Sequence, residues 1–343
     1  MSAFWDLPAG WVADVAGIVF ALCFSGLGVT ILLRAGTNLP QDTPNERSLH
    51  HRPLPRGGGL AIWAGWLPVA LWASPTGAGP MLWLVPWLVL AMVSLRDDVR
   101  ALGVGVRLLV HGLAALWFAL VLAWPLAAAG SWAAMLLLAL PACALAAWSL
   151  NLYNFMDGND GLAAVMAILG FSAYGFGAVI GGAPATAFFA LAAAAVPFFV
   201  VNRPPSRLIM GDVGAVPLGF LAAAFGLALV VAGTWPAWFP VLVFLPFVAD
   251  ATVTLARRAV RGETLWQAHR SHYYQRLHRL GLGHRGTLAV YGLWMAGAGF
   301  TAVACLKWHP AWGWLVLGGW SLAGAALFTT IDYHWRTKFG AVQ

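Results

Sequence analysis

The sequence predicts an all-α, polytopic integral membrane protein with about eleven transmembrane helices (10–11) and an active site at the cytoplasmic face. Three observations carry this. The 343 residues are 61% hydrophobic and only 9% charged, whereas a soluble domain carries about 25% charged residues. Apolar runs near the ~20 residues that cross a bilayer recur along the whole length. The cations fall on one side of the topology those runs define. No linker, low-complexity tract or short-period repeat interrupts the chain, so residues 1–343 read as one membrane domain without a soluble module.

In order, spans are expected near 11–34, 57–75, 79–95, 106–124, 131–151, 160–181, 183–202, 214–233, 235–257, 288–306 and 311–331. Asp6 and Asp14 stand near the start, with no Lys or Arg before the first apolar run, which is the wrong flank for a cleaved signal peptide. The first helix is therefore expected to stay. With a periplasmic N-terminus, every one of the 19 Lys and Arg residues except Lys307 lies in or beside an inside segment. The positive-inside rule then puts the C-terminus in the cytoplasm. The acids give an independent check: Asp97, Asp98, Asp157, Asp160, Asp212 and Glu263 share that inner side. The net charge of +7 follows the membrane topology, so no nucleic-acid partner is expected. Cys23, Cys143 and Cys305 all lie in apolar runs and read as packed thiols.

The most loaded stretch is SLNLYNFMDGNDGLAA at 149–164, where Asn151, Asn154, Asp157 and Asp160 gather at three-residue spacing. Residues so spaced share one helix face. A carboxylate leaving water costs several kcal/mol (roughly) unless it is paired or holds a metal, which points to chemistry on a charged substrate. The alternative is a polar turn and N-cap between two helices. Upstream, RSLHHRPLPRGGGL at 47–60 ends in three glycines at a helix start, where backbone amides attract anions and Arg56 could offer a fork of donors to phosphate. An ordinary basic loop is the alternative.

Asp97 and Asp98 close the third span, and adjacent carboxylates repel unless one finds a cation, with Arg96 and Arg100 at hand. Asp212, between two glycines in MGDVGAVPLG, can present oxygens to Mg²⁺ or act as a plain N-cap. In HRSHYYQRL, a helix would bring His269, His272 and Arg276 to one face beside Arg270, a set better suited to a pyrophosphate than to zinc; an amphipathic basic helix on anionic lipid is the bland reading. Asp250 sits inside the ninth span, either as a functional acid or paired with Arg257 or Arg258. His50, His51, His278 and His284 read as interfacial, and His111, His309 and His334 receive no role.

Together, PLPRGGGL, Asp97-Asp98, NFMDGNDGLA, GDVGAVPLG and HRSHYYQRL resemble the polyprenyl-phosphate N-acetylhexosamine-1-phosphate transferases, in the family's order from residue 47 to 277. The His-x-x-His-x-x-x-Arg-Leu form is more similar to the branch that initiates O-antigen and related surface glycans than to the cell-wall phospho-N-acetylmuramoyl-pentapeptide transferases. Ser94-Leu95-Arg96, where the family often has Gly, and Asn159, where a branched apolar residue is common, depart from the pattern without removing a charge.

The resemblance implies a UDP-N-acetylhexosamine and undecaprenyl phosphate as partners, undecaprenyl-diphosphate-sugar and UMP as products, Mg²⁺ (Mn²⁺ as a substitute) as cofactor, and a homodimer as one oligomeric option. It implies that Asp212 and Asn154 hold the metal and that Asp157 positions the uridine or the metal shell. His269, Arg270 and His272 would grip the diphosphate or sugar, and Asp97 and Asp98 would orient the lipid phosphate, one of them as an optional base. Arg56, Asn151 and Asp160 are expected to bind substrate. Competing readings are a secondary transporter, against which no matching halves are seen, and a CDP-alcohol phosphotransferase, which needs an Arg soon after Asp-Gly and two further Asp where this chain has LAAVMAILGF.

Overall fold

The computed structural model describes residues 11–43, 49, 52–74, 79–264 and 269–340. Asp6, His50 and His51 lie outside these described residues. The described residues are all-α apart from a two-residue antiparallel pairing of β1 (Gln41–Asp42) with β2 (Leu54–Pro55) and an isolated parallel bridge between Arg56 and Ile209. The long helices are α1 (Trp11–Ala35), α2 (Gly59–Trp72), α3 (Leu84–Val99), α4 (Val104–Ala128), α5 (Trp132–Phe155), α6 (Leu162–Ile180), α7 (Thr186–Asn202) and α8 (Asp212–Val231). They continue with α9 (Trp238–Val243), α10 (Leu245–Val260), the short α11 (Tyr273–Leu277), α12 (Gly283–Trp308) and α13 (Gly313–Phe339).

Each expected span meets a helix, and among the described residues seven helical stretches are long and apolar enough to cross a membrane, with α2 and α7 as shorter apolar helices. The ninth span departs from expectation. It divides at Phe244 into α9 and α10, because Pro246 occupies the first turn of α10 and has no N–H to continue the preceding helix.

Small residues set the packing. α7 buries the run Ala190–Ala195 between α1 and α6, and without large side chains helix backbones can approach closely enough for dispersion to hold them in an apolar solvent. Gly59 of α2 meets α8 most tightly: a Cβ there would stand 2.3 Å from the Cα of Gly214. Behind that contact Trp63, Trp66, Trp83 and Trp87 pack edge to face, joined by Phe225. Two of these indoles are satisfied across helices, Trp63 Nε1 donating to the Val213 carbonyl at 2.8 Å and Trp66 Nε1 to that of Ala187 at 2.9 Å. The tryptophan cluster thus fixes α2 and α3 against α8, and the loops between these helices open at one end of the bundle.

Candidate active site

At that end α3 finishes with the two buried carboxylates Asp97 and Asp98. Asp98 reaches across to the start of α8, where its Oδ1 accepts from the backbone N–H of Asp212 and its Oδ2 from that of Val213, both at 3.0 Å. Amides at a helix start lack intrahelical partners and carry the positive end of the dipole, so a carboxylate from another helix is a strong cap. Gly211 permits it: φ is +78°, and a Cβ there would fall 2.5 Å from Asp98 Oδ2. Asp212 is thus the first residue of a helix capped by Asp98, and its own side chain remains available to the cleft.

Two arginines balance the acids. Arg107 Nη1 lies 2.9 Å from Asp97 Oδ2 and 3.3 Å from Asp212 Oδ2. Arg56 spans Asp42 at 2.6 Å and Asp98 at 3.5 Å. Arg107 was not singled out from the sequence, where it reads as one more cation at the start of a span. The glycine loop also differs from expectation. Gly58 and Gly59 donate their N–H groups to the Ile209 and Met210 carbonyls at 2.9 Å, so the loop closes on its own chain instead of cradling an anion with those amides. Arg56 carries a forked role there, but toward carboxylates.

The turn between α5 and α6 places Asp157 beside this cluster. Burial in the cleft raises its carboxyl pKa well above the ordinary range, with Asp212 the strongest charge adding to the effect and Arg56 opposing it. Asn154, in the last turn of α5, is partly buried and has no side-chain hydrogen bond among the described residues. Asn151 is drawn elsewhere: its Nδ2 donates to the Ala147 carbonyl at 2.7 Å and its Oδ1 faces His111 Nδ1 at 3.1 Å. Both ends of the Asn151 amide are thus engaged within the helices, and His111, which received no role from the sequence, is its partner.

Asp160 lies on the far side of the turn. It accepts from the Ser206 N–H at 3.0 Å, and its own N–H donates to His284 Nδ1 at 3.2 Å while His284 Nε2 faces the Leu49 carbonyl at 3.3 Å. His284 is therefore a buttress rather than a plain interfacial residue. Asp160 and His284, with Arg52, His278 and Arg285, line a cavity of about 690 Å³.

The histidine segment packs against the same turn. His269 precedes helix α11 and His272 is its cap, so they do not share a helix face with Arg276 as expected; their rings nonetheless stack at 4.9 Å. His272 is only 2% exposed, whereas His269 is partly exposed and Arg270 exposed. Arg276 turns away to Asp332 of α13 at 2.7 Å, where Arg257 also binds. Asp250 pairs with neither Arg257 nor Arg258; it receives His272 Nδ1 at 3.2 Å.

Oxygen donors for a hard cation are present but sparse. Among the described residues no group of three or more His, Cys, Asp or Glu is arranged to hold a metal. Both Asp98 oxygens serve α8, and Asp97 is taken by Arg107 and by the Leu102 N–H at 2.5 Å. Asp212, which shares Arg107 with Asp97 at the longer distance of 3.3 Å, together with Asp157 and Asn154 makes an oxygen set that fits Mg²⁺, which keeps several waters and relies on substrate phosphates.

The model of glycosyl transferase family 4 matches residues 80–230, the stretch that holds Asp97, Asp98, Arg107, Asp157 and Asp212. Over that stretch the chain is similar to glycosyl transferase family 4. Across nearly its whole length the chain is similar to a decaprenyl-phosphate N-acetylglucosaminephosphotransferase of Mycobacterium tuberculosis, 28% identical over 92% of this chain and 93% of the relative. It is also similar to a probable undecaprenyl-phosphate N-acetylglucosaminyl 1-phosphate transferase of Bacillus subtilis, 25% identical over 89% and 87%. A phospho-N-acetylmuramoyl-pentapeptide-transferase of Streptococcus pneumoniae is 40% identical over 81 residues, covering 23% of this chain and 25% of that protein.

Proposed function

We propose that this protein is a member of glycosyl transferase family 4 that transfers an N-acetylhexosamine 1-phosphate, N-acetylglucosamine 1-phosphate first among the options, from its UDP-sugar to undecaprenyl phosphate. The products are undecaprenyl-diphosphate-sugar and UMP, in the step that initiates O-antigen or a related surface glycan. The observation that carries the reading is the convergence of Asp97, Asp98, Asp212, Arg56 and Arg107 at one end of an apolar bundle, beside Asp157. The near full-length relatives bear names of the same reaction class. A lipid-borne phosphate and a water-soluble nucleotide meet at such an end and nowhere deeper.

In the reaction an unesterified oxygen of the lipid phosphate bonds to the phosphorus that carries the sugar. The bond from that phosphorus to the bridging oxygen breaks, and UMP leaves with the electron pair. A phosphate monoester with a second pKa of about 6 is already largely dianionic at neutral pH, so no base is needed. Asp98, with both oxygens on α8 amides, is poorly placed to be a nucleophile, which supports direct displacement over an aspartyl intermediate.

Arg56 and Arg107 orient the phosphates. Asp212, Asp157 and Asn154 would hold Mg²⁺, which when bound neutralises the diphosphate and charge on departing UMP. His269 and Arg270 grip the diphosphate or sugar, and the uridine occupies the cavity beside Asp160. An apolar groove of about 230 Å³ lined by Leu145, Trp148, Leu152, Val241 and Val248 suits the first isoprene units of the carrier.

The test is UMP release by the purified protein supplied with undecaprenyl phosphate, Mg²⁺ and a panel of UDP-sugars that includes the muramoyl-pentapeptide donor, with and without EDTA. Release that requires both lipid phosphate and metal is expected, and the fastest donor names the sugar. No release from any donor by folded protein would overturn the reading, and a proteoliposome transport assay would then take its place.

A further inference from the structure

We propose that Asp250 is a positioning residue for the sugar-diphosphate site, acting through His272 on His269; this rests on the transferase reading above. Asp250 is 0% exposed in the middle of α10, yet it collects five donors from three parts of the chain. Thr254 Oγ1 lies at 3.1 Å, His272 Nδ1 at 3.2 Å, the N–H groups of Tyr273 and Tyr274 at 3.0 and 2.9 Å, and Tyr291 Oη at 2.5 Å. A buried carboxylate needs such partners. Capping a five-residue helix would not by itself call for a charged group in an apolar span, since neutral side chains cap equally well.

The bond to the imidazole supplies the further reason. A carboxylate on Nδ1 sets one tautomer and one ring orientation, the arrangement that holds histidines in metal and catalytic sites. The ring fixed in this way sits in a stack. His272 lies 5.8 Å from Tyr274, 5.9 Å from Phe155 and 4.9 Å from His269, with His269 the partly exposed member next to Arg270. The same stack is tied to the acidic turn, because Tyr274 Oη donates to the Phe155 carbonyl at 3.0 Å and presses on Gly158, where a Cβ would come within 2.2 Å of it. One buried carboxylate therefore sets where the histidine segment stands relative to Asp157. Its effect falls on the affinity for the diphosphate-sugar donor and spares the lipid substrate.

The experiment compares the full-length protein with Asp250→Asn and His272→Phe. The phenylalanine keeps a ring in the stack and removes the donor to Asp250. Steady-state UMP release gives KM for the UDP-sugar at saturating undecaprenyl phosphate, and the reverse. Diethyl pyrocarbonate labelling mapped by mass spectrometry gives the reactivity of His269 without any turnover. The proposal expects the donor KM to rise at least about tenfold in both variants while the lipid KM stays within about twofold, and expects His269 reactivity to change at least about threefold; coupled sites would also make the double variant no worse than either single one. A role confined to folding would lower the thermal midpoint and the active fraction and leave both KM values and the labelling rate unchanged, and that result in either folded variant overturns the proposal. If Asp250→Asn does not fold, His272→Phe decides alone. If the parent protein releases no UMP, the transferase reading fails separately, and the labelling of His269 still judges whether Asp250 positions it.

Discussion

Arg107 joins Asp97 to Asp212 through a single nitrogen, and that bridge links the end of α3 with the start of α8 where a phosphate is expected to react. Arg107→Gln removes the cation that Asp97 and Asp212 share, and we expect kcat/KM to fall by about 10²-fold or more, as for loss of one preorganised electrostatic contact; kinetics of UMP release check this. Asp157 gives a second expectation. Its carboxyl pKa is raised in the folded protein by burial and by Asp212, so the neutral form favours the fold. That contribution is complete below about pH 4 and is lost as pH rises through the elevated folded value. In the presence of EDTA, Asp157→Asn should therefore melt above the parent at neutral pH, and the two should converge near pH 4; tryptophan-fluorescence melting across that range measures it.

Much of this site was legible in the residues: Asp97, Asp98, Asp157 and Asp212 are acids in an apolar chain, and their cost demands a purpose. Arg107 was not, because its charge is equally well explained by topology. The partners of Asn151 were not legible either, because a polar side chain at that helical spacing can turn back to its own helix and to a buried histidine.

Among the elements, the start of α8 shows how a turn can depend on one small residue. Gly211→Ala meets two obstacles, a φ of +78° and a Cβ 2.5 Å from Asp98 Oδ2, and should cost about 1–3 kcal/mol through strain and a displaced cap. A lowered thermal midpoint with a parallel loss of UMP release is the expected outcome. The helices themselves were readable from apolar length alone. The break of the ninth span at Phe244 was not, since Pro246 fits the first turn of a new helix as comfortably as a kink within an old one. The histidine segment was read as one helix, whereas α11 begins only at Tyr273. Its cap is local, His272 with Gln275, but Asp250, far off in sequence, accepts from the Tyr273 and Tyr274 amides of its first turn, and no local pattern records an acceptor from another helix.

For the whole molecule, the distribution of Arg and Lys makes a topological prediction. A green fluorescent protein fused after α13 should fluoresce, and alkaline phosphatase at the same place should be inactive, because that end is expected in the cytoplasm; the opposite pattern would invert the orientation. The convergence of the polar loops was foreseeable in outline, since alternate helix ends share a face. Their exact partners were not, because contacts such as Asp98 with the α8 amides join residues more than a hundred positions apart.

The closure of the glycine loop on its own chain has one more consequence. Gly58 and Gly59 donate to Ile209 and Met210, Ile209 donates to Pro55, and Asp212 and Val213 donate to Asp98. These amides stand at the solvent end of the bundle, where loops ordinarily exchange their hydrogens for deuterium within seconds, yet each is held by a partner from a distant part of the chain. They should retain their protons as long as amides of the helix interiors. The region that meets the nucleotide would then be a rigid lattice that substrates find already assembled, and little configurational freedom would be surrendered when they bind.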